Sequence, residues 1–283
     1  MSMNKHLGRV AAIFFCLLLV SFMSSARAWA QNEWVGQKAG EKRVLKLGDI
    51  EIALRWCPPG AFLMGSPATE SKREKNEEQA HVALSQGFWM METEVTQELY
   101  QAVTGTNPSG FKGQGSLPVE QVSWDDAMAF TRRLNEKIRI TTGARFALPT
   151  EAQWEYACRA GTTTATAFGD SLSSAQANFD GSFPYGTAVR GPYVQKTTPV
   201  RSYQPNAWGL YDMHGNVWEW CADWYDKKLA GGTDPTGPTV ADSRVYRGGS
   251  WNYCGPDCRS AYRYKFTPGA RNDCLGFRLV LAQ

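Results

Sequence analysis

The segment Asn206–Trp220, NAWGLYDMHGNVWEW, constrains the chain more than any other. It sets Trp208, Trp218 and Trp220, with Gly209 and Gly215, around two carboxylates, Asp212 and Glu219. Its apolar spacing follows neither the period of a helix nor the alternation of a strand. Aromatic residues at this density go inside, so the segment reads as a buried, irregular, turn-rich run. A carboxylate taken inside needs hydrogen-bond donors or a cation around it. A hard cation such as Ca²⁺ takes carboxylate and main-chain oxygens, and glycines let a chain wrap around it. The competing reading makes the tryptophans core and the acids plain hydrogen-bond acceptors. The spacing is not that of an EF-hand loop.

Regular structure is signalled mainly in the first half. Val44–Trp56 alternates apolar and polar residues and predicts one or two strands. Ala61–Gly65 and Val82–Met90 read as strands, and the charged run Ser66–Ala80 between them as a surface loop. Three helices carry start signals. Thr96 caps Gln97–Val103. Ser123 caps Trp124–Arg139, with Trp124, Ala127, Phe130, Leu134 and Ile138 on one face. Thr150 caps Glu151–Arg159. Ser123-x-x-Asp126 and Thr150-x-x-Gln153 fit capping boxes. Beyond Thr162, Gly, Pro, Asn and Asp recur every few residues and no helical period survives. A loop-heavy half this rich in aromatic residues argues against disorder and for staples, either metal ions or disulfides.

The amino terminus reads as a cleaved secretory leader. Lys5 and Arg9 precede the apolar run Val10–Met23, and small residues at Ala26, Ala28 and Ala30 follow. Residues 31–44 then form a polar lead-in, and 45–283 a single domain. The expected product is exported, soluble, periplasmic and monomeric, free of the membrane once the leader is removed. A net charge of +3 with no basic cluster excludes a nucleic-acid partner. Of seven cysteines, Cys16 lies in the leader. The rest, Cys57, Cys158, Cys221, Cys254, Cys258 and Cys274, form an even set that an oxidising compartment can pair.

Four blocks resemble the formylglycine-generating-enzyme (sulfatase-modifying factor) family: PPGAFLMGS at Pro58–Ser66, LPTEAQWEYACRAGT at Leu148–Thr162, GLYDMHGNVWEW at Gly209–Trp220, and RGGSW…CRSAYR…LGFR at Arg247–Arg278. Their order and spacing match, over about Leu45 to Leu281. The resemblance implies an α+β fold of low regularity related to the C-type lectin architecture, with few short helices and small sheets, stabilised by calcium. It puts one calcium on the Asp212 and Glu219 side chains and the Gly215 and Val217 carbonyls. A second would use Asn178 and Phe179, though no acid stands near Arg190–Tyr193 to complete it.

The resemblance also implies a copper(I) site of two cysteines after the Gly248-Gly249-Ser250 motif. The second copper cysteine falls on Cys258. The first falls on Tyr253, with Cys254 one position late, and a one-residue shift turns a side chain to the opposite face of an extended segment. Cys254, Cys258 and Ser250 are the candidate catalytic residues. Trp218, Trp251, Arg259, Arg263 and Cys274 are candidates for binding substrate. A Cys254–Cys274 disulfide with Cys258 buried competes with a redox or copper pair. Histidine-ligated iron is set aside, because only His81 and His214 follow the leader. Three functions follow: an exported oxidoreductase maturing a secreted peptide or siderophore precursor, as in the family's periplasmic pyoverdine-maturation branch; copper-dependent formylglycine generation on a sulfatase cysteine; or a non-enzymatic module holding a peptide or glycan.

Overall fold

Alternating side chains and a Gly48 turn at positive φ fold the first strands back on each other: β1 (Lys42–Leu47) pairs antiparallel with β2 (Ile50–Cys57). The computed structural model describes residues 34–140 and 143–282. The leader assigned to residues 1–30 lies outside the described residues.

After β2 come β3 (Gly60–Met64), β4 (Ala80–Leu84) and β5 (Phe88–Met91). Helices α1 (Gln97–Thr104) and α2 (Trp124–Lys137) precede β6 (Arg145–Ala147), and α3 (Glu151–Arg159) follows it. The remainder holds β7 (Trp218–Trp224), β8 (Gly232–Thr233), β9 (Arg244–Arg247), a 3₁₀ turn at Gly255–Cys258, β10 (Tyr264–Phe266), β11 (Leu275–Gly276) and β12 (Val280–Ala282).

These build three small sheets, ordered β1-β2-β5-β12-β6, β10-β9-β7-β11 and β3-β4-β8. The chain's last strand, β12, fills the gap between β5 and β6, so the C-terminus closes the sheet begun by the N-terminal hairpin. All three helix caps form as read. Thr96 accepts from the Leu99 N–H, and Ser123 and Thr150 each complete a reciprocal capping box.

Helix α2 packs Phe130 and Leu134 into the main core with Trp56, Trp89, Trp218, Trp220 and Phe277. Helix α3 is buried along most of its length, and Trp154 joins Met64, Met213 and Cys221 in a second core. From Thr162 to Val217 there is no named helix or strand among the described residues. That long irregular run is held by turns and side-chain bonds, with a third core of Leu172, Phe179, Tyr185 and Cys258 beneath it. No described helix is long and apolar enough to cross a membrane.

Candidate functional site

Glu219, on β7, is wholly buried and already neutralised. The Arg278 Nε and Nη2 groups donate to its Oε2 and Oε1, each at 2.7 Å, and Trp154 Nε1 donates to Oε2 at 2.8 Å. The planar guanidinium fork matches the carboxylate bidentately. Arg278 also donates to the Met91, Glu92 and Tyr211 carbonyls. Glu219, expected from the resemblance to face calcium, is thus paired with a guanidinium of the same chain.

Asp212 is different. It takes a positive φ and accepts from the Arg201 backbone N–H at 2.8 Å. Burial pushes its carboxyl up to about 6. Facing it is Glu94, fully buried and raised well above the carboxylate range by burial and then by Asp212. Asn216 Nδ2 donates to Glu94 Oε1 at 3.0 Å, while Glu94 Oε2 has no partner. Asn178 Nδ2 donates to Asn216 Oδ1 and to the Lys196 carbonyl, leaving Asn178 Oδ1 without one.

Asn178, which the resemblance placed in a second calcium site, is therefore joined through Asn216 to Glu94. Gly215 is fixed there by contact: a Cβ would come 2.4 Å from the Asn178 carbonyl, at φ +118°. Val217 and Phe179 are buried core residues. Oxygen donors with two carboxylates suit calcium. No three His, Cys, Asp or Glu side chains converge as a metal site among the described residues. Glu94 was missed from sequence. Its one signal is that Glu92 and Glu94 directly follow the apolar strand β5.

The second region begins at Gly248 and Gly249, both at positive φ, which turn Ser250 inward. The Ser250 hydroxyl donates to Asn252 Oδ1 at 2.8 Å. Its main chain bears on the Cys258 thiol and its side chain on the Cys274 thiol, so Ser250 lies between them. Cys258 is fully buried against Gly249, with its Sγ 3.6 Å from the Cys254 carbonyl. Cys254 is partly buried and leads into the 3₁₀ turn, its N–H held by Asp257.

Burial pushes the Cys274 thiol up to about 12 and raises those of Cys254 and Cys258. Asp257 raises Cys254 and Cys258 further, and Asp273 does the same to Cys274. All six described cysteines are free thiols, so the Cys254–Cys274 disulfide does not form. Copper(I) is held by thiolates, and this packed, acid-flanked pair disfavours the thiolate form. In this metal-free form burial and the neighbouring acids hold the pair as thiols.

His214 braces this strip. Its Nε2 accepts from the Ala167 N–H at 3.0 Å, so Nδ1 carries the proton and donates to the Cys258 carbonyl at 2.7 Å. Burial holds the ring neutral, down to about 4.

Arg259 and Arg263 do not face a substrate. Arg259 is fully buried and donates to Glu70 and Glu77, and Arg263 donates to both oxygens of Glu151 at 2.6 and 2.7 Å. Arg247 binds Glu155 in the same internal network. These arginines fasten the Ser66–Ala80 loop and the start of α3 rather than clamp a ligand.

The accessible groups are aromatic. Trp251, partly buried, meets Phe111 edge-on at 5.2 Å and stacks on Tyr193 at 6.3 Å. Trp218 forms the floor, buried against Tyr246 at 4.9 Å and Tyr253 at 5.1 Å. Hollows of about 530 and 680 Å³ lie elsewhere, beside α2 and α1.

Residues 52–283 match the family model described as sulfatase-modifying factor enzyme 1-like domain. The chain is 38% identical over 182 residues to the formylglycine-generating enzyme of Streptomyces coelicolor, covering 60% of this chain and 54% of that protein. It thus spans about half the length of that relative. Two solved structures are similar across nearly their whole length. Treponema denticola variable protein 1 has TM-score 0.73 and 29% identity over 86% of this chain and 99% of its own. PvdO from Pseudomonas aeruginosa has TM-score 0.73 and 27% identity over 88% and 100%. With four motif blocks, three small sheets and a family match over most of its length, this chain belongs to the sulfatase-modifying factor enzyme 1-like family.

Proposed function

We propose that this chain is an exported oxidoreductase that matures a secreted peptide product, the oxidation of a siderophore (pyoverdine) chromophore precursor being the reaction in view. Dioxygen is the electron acceptor. The likeness to PvdO over that protein's full length is the observation that carries the reading. The aromatic wall of Trp251, Phe111 and Tyr193 above the Trp218 floor supports a planar substrate group. The raised thiols of Cys254, Cys258 and Cys274 weigh against copper-dependent formylglycine generation. Those same thiols favour one second reading, a module that binds a peptide or glycan without turnover, because none of them is activated as a nucleophile or metal ligand.

Purified protein mixed with the reduced precursor in an oxygen electrode separates the three. Oxygen uptake with stoichiometric product supports the oxidoreductase. Tight binding with no uptake selects the binding module. Conversion of a sulfatase cysteine peptide, and of nothing else, selects formylglycine generation. Periplasmic export rests on the leader read at residues 1–30, and cell fractionation tests it.

A further inference from the structure

Phe111 lies in the irregular run between α1 and α2, yet its main chain is held from both sides. Its N–H donates to Glu120 Oε1, and its carbonyl accepts from Gln97 Nε2, each at 2.8 Å. Both clamps stand on firm supports. Gln97 opens α1, is buried, and also donates to the Pro118 carbonyl and accepts from Asn107 Nδ2. Glu120 is 0% exposed. The flanking N–H groups of Val119 and Gln121 donate to the Val95 and Asn272 carbonyls at 2.8 and 2.9 Å. Its own N–H donates to Ser109 Oγ at 3.2 Å. Such an acid is an expensive support for one loop residue. Its Oε2 lies against Gly110 without a hydrogen-bond partner, and burial pushes the carboxyl up to about 7. An orphaned buried acceptor destabilises the fold, so packing alone does not account for Glu120.

What the two clamps fix is one ring of the aromatic wall. Phe111 meets Trp251 edge-on, with ring centres 5.2 Å apart and planes at 89°. The Trp251 Nε1 group donates to the Asp273 carbonyl at 3.1 Å. The indole is therefore set by a main-chain carbonyl at its N–H and by the Phe111 ring, and edge-to-face pairs depend on that angle. We propose that Glu120 and Gln97 are positioning residues, which hold Phe111 so that Trp251 presents its face to a flat substrate group. The proposal rests on the reading of Trp251, Phe111 and Tyr193 as the substrate wall. Neither residue touches substrate. A stacking contact made both before and during reaction lowers KM without changing kcat, so loosening the clamp raises KM.

The test follows the full chain, labelled with fluorotryptophan, by fluorine NMR, the Trp251 resonance being assigned by its loss in Trp251→Phe. Glu120→Ala should move that resonance. Glu120→Gln, whose amide oxygen still accepts from the Phe111 N–H, should return it to the wild-type position. Gln97→Leu releases the Phe111 carbonyl and should move it too, which keeps the test decisive if Glu120→Ala does not fold. Oxygen uptake with the reduced precursor should show KM raised about tenfold in Glu120→Ala, kcat within about twofold of wild type, and KM restored in Glu120→Gln. A Trp251 resonance unmoved in Gln97→Leu and in Glu120→Ala overturns the proposal. So does a loss confined to kcat, or a Gln variant that behaves as the Ala variant does. If the wild-type chain takes up no oxygen, the oxidoreductase reading falls, while the resonance still decides whether Glu120 and Gln97 set Trp251.

Discussion

Replacing Arg278 with Met isolates the interaction that joins β7 to the C-terminal strands. The guanidinium is wholly buried and makes two 2.7 Å bonds to Glu219, with further bonds to the Met91, Glu92 and Tyr211 carbonyls. Arg278→Met leaves Glu219 charged, buried and held by Trp154 alone. Breaking a buried pair from one side costs about 3–5 kcal/mol, because the surviving charge is uncompensated. For a domain of this size that corresponds to a fall in Tm of roughly 10 °C. Urea unfolding followed by tryptophan fluorescence measures it. The double variant Glu219→Leu/Arg278→Met removes both charges and should recover part of the loss, giving a coupling of at least about 2 kcal/mol. Recovery should be incomplete, since three carbonyls and the Trp154 N–H lose their partners. Arg278→Met within about 1 kcal/mol of wild type, or additive single and double variants, refutes the reasoning.

His214 should make stability rise with pH. The folded ring stays neutral down to about 4 whereas the unfolded ring protonates near 6.5. The unfolded state therefore binds more protons between those values. The stabilisation is complete above 6.5 and is lost as pH falls through the window, by up to about 3 kcal/mol. His214→Asn should flatten that slope in urea titrations at stepped pH. Glu120, pushed up by burial to about 7, acts in the opposite sense. Its folded form keeps a proton longer, so stability falls as pH rises from about 4.5 to 7. Glu120→Gln should remove this alkaline flank. Arg259→Met frees Glu70 and Glu77 and should make trypsin cut the Lys72–Lys75 run faster than in the wild type. A thiol reagent should label Cys254 first in the native protein, and Cys57, Cys158, Cys221, Cys258 and Cys274 only after unfolding, since those five are buried.

What the sequence made legible was local. The caps at Thr96, Ser123 and Thr150 depend on residues three apart, and all three form. Helix α2 stops at Lys137, short of the expected Arg139, because Ile138 turns to an extended conformation. The single strand read at Val82–Met90 divides at Ser85–Gly87 into β4 and β5, which belong to different sheets. Hydrophobicity alone carries no mark of that division.

The Ser66–Ala80 run was read as a solvated charged loop, yet Ser66 and Glu77 are fully buried. Its anchor, Arg259, is 182 residues beyond Glu77. Ion pairs at such separations leave no periodicity to read. The same limit hid Glu94, whose donor is Asn216, and the pairing of Glu219 with Arg278 in the last block. The buried tryptophan segment was legible as a core. Which of its two acids was already paired was not.

The central claim, that oxidation at this site proceeds without a thiolate-held copper ion, is tested most directly by copper dependence. Oxygen uptake with the reduced precursor is measured on chelator-stripped protein, then after adding one equivalent of copper(I). The account predicts equal rates and no tight copper binding. Activity that is absent from the stripped protein and returns in proportion to bound copper would contradict it.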